Sequence, residues 1–196
     1  MTKVAEAASV FATHNPEAAD ELRLELQTTR LAEAVAKFET QIAAGGEEAV
    51  WQRLFEDEPF LLTLAFGRPL SFVRGQSYVG GRKITGAGDR IADFLYRNSL
   101  NLNAALIEIK KPTTKLMVRY RNDGEYAASK DLSGGITQTL EQRYQFIRRF
   151  DQHRRDNGWE GDAAIEDFDV DCVLVIGKMP ADLPERRAFQ LFRKNS

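Results

Sequence analysis

The sequence has very few of the residues that bind soft metals or form disulfides. Its 196 residues include a single cysteine, Cys172, which excludes an internal disulfide and a zinc site built from several thiolates. The two histidines, His14 and His153, lie far apart in the sequence, so a histidine-rich metal site is not expected. Any metal that this chain binds must therefore be held mainly by carboxylates.

Long apolar segments are also missing. The longest runs, Phe60 to Phe66 and Cys172 to Ile176, fall well short of the ~20 residues that a transmembrane helix needs. The N-terminus has no uninterrupted apolar segment of signal-peptide length, and no glycine pattern forms a phosphate-binding P-loop. With 43% hydrophobic and 29% charged residues, the composition is that of a globular domain. We expect a cytoplasmic protein without a membrane partner or a small-molecule cofactor.

The net charge of −2 conceals an uneven distribution along the chain. Residues 1–60 contain 5 basic and 12 acidic side chains, a net charge of −7, which leaves 22 basic and 17 acidic side chains, or +5, for the remainder. An acidic first part therefore precedes a basic body. A basic body of this kind is compatible with a polyanionic partner.

The first third of the sequence has helical periodicity. Between Glu17 and Ala44, apolar residues recur every three to five positions, and Gly45-Gly46 supplies a stop. The members of this apolar stripe are Leu22, Leu26, Leu31, Val35, Phe38 and Ile42. A second helix is predicted from Glu47 to about Asp57. We therefore divide the chain into an N-terminal helical extension, residues 1–46, and a domain over residues 47–196.

Beyond Gly67 the pattern becomes that of strands and turns. Segments rich in β-branched and aromatic residues predict strands over Ser71–Val79, Arg90–Arg97 and Asn103–Lys110, with the last two joined as a hairpin. The polar segment Thr113–Leu132 has no clear periodicity. Its length inside a domain indicates either a functional role or mobility.

The last part of the sequence predicts a long helix, a strand and a short helix. The long helix is expected over Gly135–Asn157, and its inward face is predicted to consist of Ile136, Leu140, Tyr144, Ile147 and Phe150. The apolar run Val170–Ile176 predicts a central strand covered on both faces, and Asp182–Lys194 predicts the final helix. This order of elements predicts an α/β fold with a mixed central β-sheet flanked by helices. We expect the domain to be cut short at Ser196.

Three charged side chains in apolar strands are the most informative feature of the sequence. Asp93 lies in the segment Ile91–Leu95, and Glu108 and Lys110 lie near the end of the following strand. Because side chains alternate along a strand, Glu108 and Lys110 share a side, and pairing as a hairpin brings Asp93 to that side. Acidic residues beside a lysine commonly form a solvated face. Here the charged residues lie among apolar neighbours, so their burial has to be explained by a function or by a buried ion pair.

Two carboxylates and an ammonium group have a specific chemical use. Mg²⁺ prefers oxygen ligands, and Asp93 and Glu108 can supply them, with the backbone carbonyl of Ile109 as a candidate third ligand. Lys110 would orient a water molecule or neutralise a phosphate. The pattern therefore indicates phosphodiester hydrolysis. Asp89 is a candidate accessory ligand, although an aspartate after Gly88 more often closes a turn.

Several stretches resemble one nuclease superfamily. An aspartate, a Glu-x-Lys triplet on a hairpin and a glutamine on a later helix are similar to the PD-(D/E)XK nucleases. More narrowly, the sequence from Glu47 onward resembles the Shedu immune nucleases. The stretches that carry this resemblance are Glu48–Gln52 with Glu58-Pro59, Ala92–Phe94, Ile107–Pro112, Tyr120–Gln138 and Val173–Gly177. The run Tyr120–Gln138 is more specific than the catalytic triplet.

The resemblance implies a PD-(D/E)XK restriction-endonuclease-like core that cleaves DNA in bacterial antiphage defence, with Mg²⁺ or alternatively Mn²⁺ as cofactor, in a homo-oligomer. It makes Asp93 and Glu108 metal ligands and Lys110 the catalytic lysine. Gln138 would contact the phosphate or the attacking water, or else be an ordinary solvent-facing glutamine. Glu48 would either add a carboxylate to the metal site or be an exposed first-turn residue.

Basic residues near these motifs fit a DNA-binding surface. The candidates are Lys111 and Lys115 after the third strand, and Arg143 and Arg148 on the long helix. Exposed helices also carry arginines for solubility, so both interpretations stay open. The sequence therefore predicts a metal-dependent DNA endonuclease or nickase, with a non-catalytic DNA-binding or assembly module of the same fold as the alternative.

Overall fold

The chain folds into two compact units, residues 1–44 and residues 45–196. A computed structural model describes residues 3–66, 69–80, 90–121 and 124–194. The first unit contains helix α1, Lys3–His14, and helix α2, Pro16–Ala44, which contact each other. The apolar periodicity of the sequence predicts α2, whereas α1 is not predicted. The predicted apolar stripe of α2 is largely exposed, since Leu22, Leu26, Leu31 and Val35 all remain accessible to solvent.

The second unit is an α/β domain with two sheets. Its helices are α3 (Glu48–Asp57), α4 (Phe60–Phe66), α5 (Lys130–Arg148), α6 (Phe150–Asn157) and α7 (Leu183–Lys194). Its strands are β1 (Leu70–Gly80), β2 (Arg90–Asn98), β3 (Asn103–Ile109), β4 (Met117–Arg119), β5 (Tyr126–Ala128) and β6 (Glu166–Val175). Among the described helices of both units, none is long and apolar enough to cross a membrane.

The main sheet is mixed, as the sequence predicts. Its strand order is β1-β2-β3-β6, in which β1, β2 and β3 pair antiparallel and β6 runs parallel to β3. Every residue of β3 is buried. The prediction that Val170–Ile176 forms the central covered strand is wrong, because the described sheet places β6 at one edge. In the apolar run of β6, Cys172 packs against the core that includes Phe146 and Phe150, and Leu174 packs against the buried cluster of Leu116, Met117 and Leu132.

The long helix differs from its prediction in both length and orientation. It starts earlier, at Lys130, and ends at Arg148, before the separate helix α6. The predicted inward residues Leu140, Tyr144 and Ile147 are exposed, with 54%, 56% and 39% of their surface accessible. The face that is buried consists of Leu132, Gly135, Thr139, Gln142 and Phe146.

Two packing contacts set the rotation of α5 about its axis and leave its most apolar face exposed. Phe146 is buried in an aromatic cluster with Phe150, His153 and Trp159, which fixes one end of the helix. Near the other end, a side chain at Gly135 would lie 2.9 Å from a methyl carbon of Leu174, so only glycine fits without displacing that side chain. Between Leu132 and Phe146, small and polar residues therefore occupy the buried face, whereas Leu140 and Tyr144 face solvent.

The polar segment Thr113–Leu132 contains more regular structure than its sequence indicates. Strands β4 and β5 form a two-stranded antiparallel sheet with Met117 opposite Ala128. The amide of Ser129 donates to the carbonyl of Leu116 at 2.9 Å, and the Ser129 hydroxyl accepts from the amide of Leu132 at the start of α5. The short hairpin therefore connects β3 to α5 and sets where the helix begins.

Candidate metal centre

The end of the β2–β3 ladder positions Asp93. The paired residues run from Arg97 opposite Ala104 to Phe94 opposite Ile107. Asp93 immediately precedes Phe94 on β2, and its side chain continues the contact between the strands. Its Oδ2 accepts a hydrogen bond from the amide of Ile109 at 2.7 Å. This bond satisfies a backbone donor where strand pairing ends and holds the carboxylate beside the last residues of β3.

Glu108 lies on β3 on the side that faces α5. Only 2% of its surface is exposed, and its carboxylate accepts hydrogen bonds from three side chains. Oε1 accepts from Lys110 Nζ at 2.6 Å and from Gln138 Nε2 at 2.5 Å, and Oε2 accepts from Gln142 Nε2 at 2.7 Å. A buried carboxylate without such donors would strongly destabilise the fold.

Glu48 reaches the same place from the first turn of α3. This helix is anchored by the buried residues Trp51, Leu54 and Phe55, and the Phe55 ring packs edge-on against Phe94 of β2 with centroids 6.5 Å apart. Glu48 Oε1 then lies 3.6 Å from Lys110 Nζ. Packing of α3 on the sheet therefore brings a carboxylate more than forty positions earlier in the sequence to the β2–β3 site.

The carboxylates of Glu48, Asp93 and Glu108 form one cluster. Each offers an oxygen atom, and these three atoms all lie within 4.8 Å of one another. Ligands on opposite sides of an octahedral Mg²⁺ ion, with bonds of about 2.1 Å, are about 4.2 Å apart. The spacing and the all-oxygen donor set therefore fit a hard divalent cation.

Ionisation of all three carboxylates in this partly buried cluster is electrostatically unfavourable. Burial, together with the negative charges of Glu108 and Glu48, raises the pKa of Asp93 from 3.8 to about 6, although the hydrogen bond from Ile109 and the charge of Lys110 act in the opposite direction. Burial lowers the pKa of Lys110, but the hydrogen bond to Glu108 and the surrounding carboxylates raise it overall above its usual value. Lys110 is therefore a permanent cation at neutral pH, while ionised Asp93 adds a negative charge that the lysine alone does not balance.

Most of the predicted site residues meet in this cluster. Lys110 and Gln138 contact Glu108 directly, and Asp93 accepts a hydrogen bond from the neighbouring amide of Ile109. Glu48, for which the sequence leaves two roles open, lies within the carboxylate cluster. The backbone of Ile109 is fixed at the site through its amide, and a ligand role for its carbonyl stays a prediction. Asp89 lies outside the described residues.

Gln142 contacts Glu108 but is not among the predicted site residues. It lies four residues after Gln138, so both side chains point from one face of α5 towards Glu108. The helical spacing of the two glutamines is visible in the sequence. It is uninformative on its own, because the apolar pattern indicates that a different face of the helix is buried.

The four predicted DNA-binding residues occupy different environments. Lys111 is half-buried and paired with Glu47, whereas Lys115 is exposed on the wall of a cavity of about 540 Å³ beside the end of β3. On α5, Arg143 is half-buried with a buried Nε atom, and Arg148 is exposed in the last turn. A role in DNA binding stays a prediction for all four.

Comparison with known proteins agrees with the extent of the second unit. The family described as "Shedu protein SduA, C-terminal" matches residues 45–196. This chain belongs to the Shedu family. It is 30% identical over 180 residues to the Shedu protein SduA of Bacillus cereus (strain B4264), an alignment that covers 89% of this chain and 47% of that protein. The chain thus spans about half the length of the curated Shedu relative that it matches.

The Shedu match includes every residue of the carboxylate cluster. Glu48 is the fourth residue of the matched region, and the β2–β3 hairpin and α5 lie within it. The region that defines family membership is therefore also the region that carries the candidate metal centre.

Proposed function

We propose that this chain is a metal-dependent DNA endonuclease or nickase with a PD-(D/E)XK core, acting in bacterial antiphage defence. The observation that carries the proposal is the cluster of Glu48, Asp93 and Glu108 with Lys110 in contact with two of them. Membership of the Shedu family supports the defence role and DNA as the substrate. The same resemblance supports a homo-oligomer.

Charge balance favours a divalent cation at this site. When the three carboxylates are ionised and Lys110 is protonated, the cluster has a net charge of −2 in a partly buried position. A cation of charge +2 would neutralise it, and Glu48, Asp93 and Glu108 would be its ligands. Bound Mg²⁺ or Mn²⁺ would supply an activated water and offset negative charge on the phosphate.

The chain's own residues would divide the remaining tasks. Lys110 has a raised pKa, so it serves as a hydrogen-bond donor to phosphate oxygen or water and not as a general base. Gln138 donates to Glu108 and lies at the mouth of the same cluster, where its half-buried amide can also contact the substrate phosphate. Ionisation of Asp93 above about pH 6 prepares the site for the cation.

The test is Mg²⁺-dependent nicking of supercoiled plasmid, with EDTA as a blank. Glu108→Gln and Lys110→Met should each reduce the nicking rate by at least about 100-fold, because a ligand or a charge-stabilising donor is removed. Glu141→Gln is a matched control, since Glu141 lies on α5 and contacts Gln145 away from the site. Nicking that persists in both site variants would refute the assignment.

A second pair of variants tests the contribution of α3. Glu48→Gln should weaken Mn²⁺ binding measured by calorimetry, because it removes one of three clustered carboxylates. Glu47→Gln is the control, since the neighbouring Glu47 pairs with Lys111 and is not in the cluster. A wild-type chain that binds DNA but neither binds Mn²⁺ nor cleaves would instead be a non-catalytic binding module.

A further inference from the structure

Gln142 is a buried polar side chain whose amide is committed to the candidate site. Only 1% of its surface is exposed, and its Nε2 donates to Glu108 Oε2 at 2.7 Å. A carboxylate only accepts hydrogen bonds, so the amide nitrogen and not the amide oxygen must face Glu108. Burial of a glutamine on a helix face is unfavourable, and this contact with Glu108 offsets part of that cost.

The two oxygens of Glu108 are not equivalent. Oε1 accepts two hydrogen bonds, from Lys110 and Gln138, which use both of its lone pairs. Oε2 accepts from Gln142, and in the described part of the chain this leaves it with a further lone pair. Gln142 is therefore the donor that holds Oε2, as Lys110 and Gln138 hold Oε1.

We propose that Gln142 is a positioning residue that fixes the orientation of the Glu108 carboxylate for metal binding. The inference rests on the proposed function, since it concerns how that site binds a divalent cation. Gln142 and Gln138 hold the two oxygens from successive turns of α5, and together they prevent rotation of the carboxylate about its terminal bond. Without Gln142 the carboxylate loses the donor that fixes Oε2.

The close approach of α5 to the sheet makes this arrangement rigid. Gly135 lies where a Cβ atom would be 2.9 Å from Leu174, so the helix axis is near β6. One turn later, the Thr139 carbonyl accepts from Cys172 Sγ of β6 at 3.6 Å. Gln142 follows at the next inward position. Its side chain is therefore held between two fixed elements, which suits a residue that orients a ligand.

The test measures Mn²⁺ binding to the whole chain by titration calorimetry and by the EPR signal of free Mn²⁺. Gln142→Met keeps the length and helix propensity of the side chain and removes the donor. We expect its Mn²⁺ affinity to fall about 10- to 100-fold, the usual effect of removing a hydrogen bond to a metal ligand. Gln145→Met is the matched control, because Gln145 lies on the same helix and donates to Glu141 at 2.9 Å. Its Mn²⁺ affinity should equal that of the wild type.

The inference would be overturned if folded Gln142→Met bound Mn²⁺ as tightly as the wild type does. That result, at any thermal stability of the variant, would show that Gln142 serves packing alone. Gln142→Asn is the second variant if the first does not fold; its shorter amide does not reach Glu108, and the same two outcomes apply. A wild-type chain without Mn²⁺ binding would overturn the proposed function together with this inference. If the wild type binds Mn²⁺ and the Gln142 variant binds it equally well, only this inference is overturned and the proposed function stands.

Discussion

Replacing Asp93 by asparagine should stabilise the metal-free protein at alkaline pH while abolishing its metal binding. In the wild type, an ionised Asp93 shares a partly buried site with Glu108 and Glu48, and this raises its pKa to about 6. The asparagine oxygen can still accept the hydrogen bond from the amide of Ile109, so the backbone contact at the end of β3 is kept. The variant removes a repulsive charge without removing the structural bond.

The sign and size of the effect follow from proton linkage. The folded-state pKa of about 6 exceeds the unfolded value of 3.8, so the folded state holds an extra proton between these two values. The wild-type free energy of unfolding therefore falls as the pH rises through this window. The full shift corresponds to about 3 kcal/mol, and because Asp93 is only partly buried we reduce this to about 1–2 kcal/mol.

Urea denaturation in EDTA, followed by circular dichroism from pH 4 to pH 8, measures the effect. Asp93→Asn should be about 1–2 kcal/mol more stable than the wild type at pH 8, and most of the difference should disappear at pH 4. Asp169→Asn, at an exposed position of β6, is the control and should show no such pH-dependent gain. Added Mg²⁺ should stabilise the wild type and not Asp93→Asn.

Two results would refute this reasoning. One is a stability difference between Asp93→Asn and the wild type that stays the same from pH 4 to pH 8, because the effect would then be unrelated to ionisation. The other is a variant that is less stable than the wild type at pH 8. That result would mean that the carboxylate contributes more to the fold than its burial and its repulsion by Glu108 and Glu48 cost.

Further predictions concern the packing that positions the site, and chemical denaturation measures all of them. Gly134→Ala should raise the free energy of unfolding by about 0.5–1 kcal/mol, because this helix position is exposed and nothing lies within 4 Å of the added carbon. Gly177→Ala should lower it by about 2–4 kcal/mol, because Gly177 has a φ of +64° and a Cβ would lie 2.6 Å from a backbone oxygen. Leu140→Ala should cost less than about 1 kcal/mol, although the apolar pattern of α5 predicts that Leu140 faces inward, and Phe146→Ala should cost about 3–5 kcal/mol because Phe146 is buried. Equal costs at the last two positions, or a tolerated alanine at Gly177, would contradict the described packing.

The hairpin that carries the site could be predicted closely from the sequence. The strands predicted over Arg90–Arg97 and Asn103–Lys110 are observed as Arg90–Asn98 and Asn103–Ile109. A strand has a side-chain period of two, so the separation of Glu108 and Lys110 by one residue fixes their common side regardless of the rest of the fold. Asp93 reaches the same side because the hairpin adopts the register that places Phe94 opposite Ile107.

The orientation of α5 could not be predicted in the same way. Apolar spacing favours the face with Leu140, Tyr144 and Ile147, but that face is exposed. The buried face includes Gln142, whose burial is tolerable only because Glu108 accepts its hydrogen bond. A partner from another element determines whether a polar side chain can be buried, and one helix considered alone does not contain that information.

The sequence by itself determined the chemistry that this chain can offer. One cysteine and two distant histidines leave carboxylates as metal ligands, and local strand geometry puts Glu108 and Lys110 on one side. Only the tertiary structure decided which other residues join them. Glu48 lies at the site because α3 packs on the sheet through Phe55. Gln142 contacts Glu108 because Gly135 allows α5 to approach β6. The periodicity of a strand or helix specifies which of its side chains share a face. Contacts between elements that are distant in the sequence depend on how their surfaces fit together.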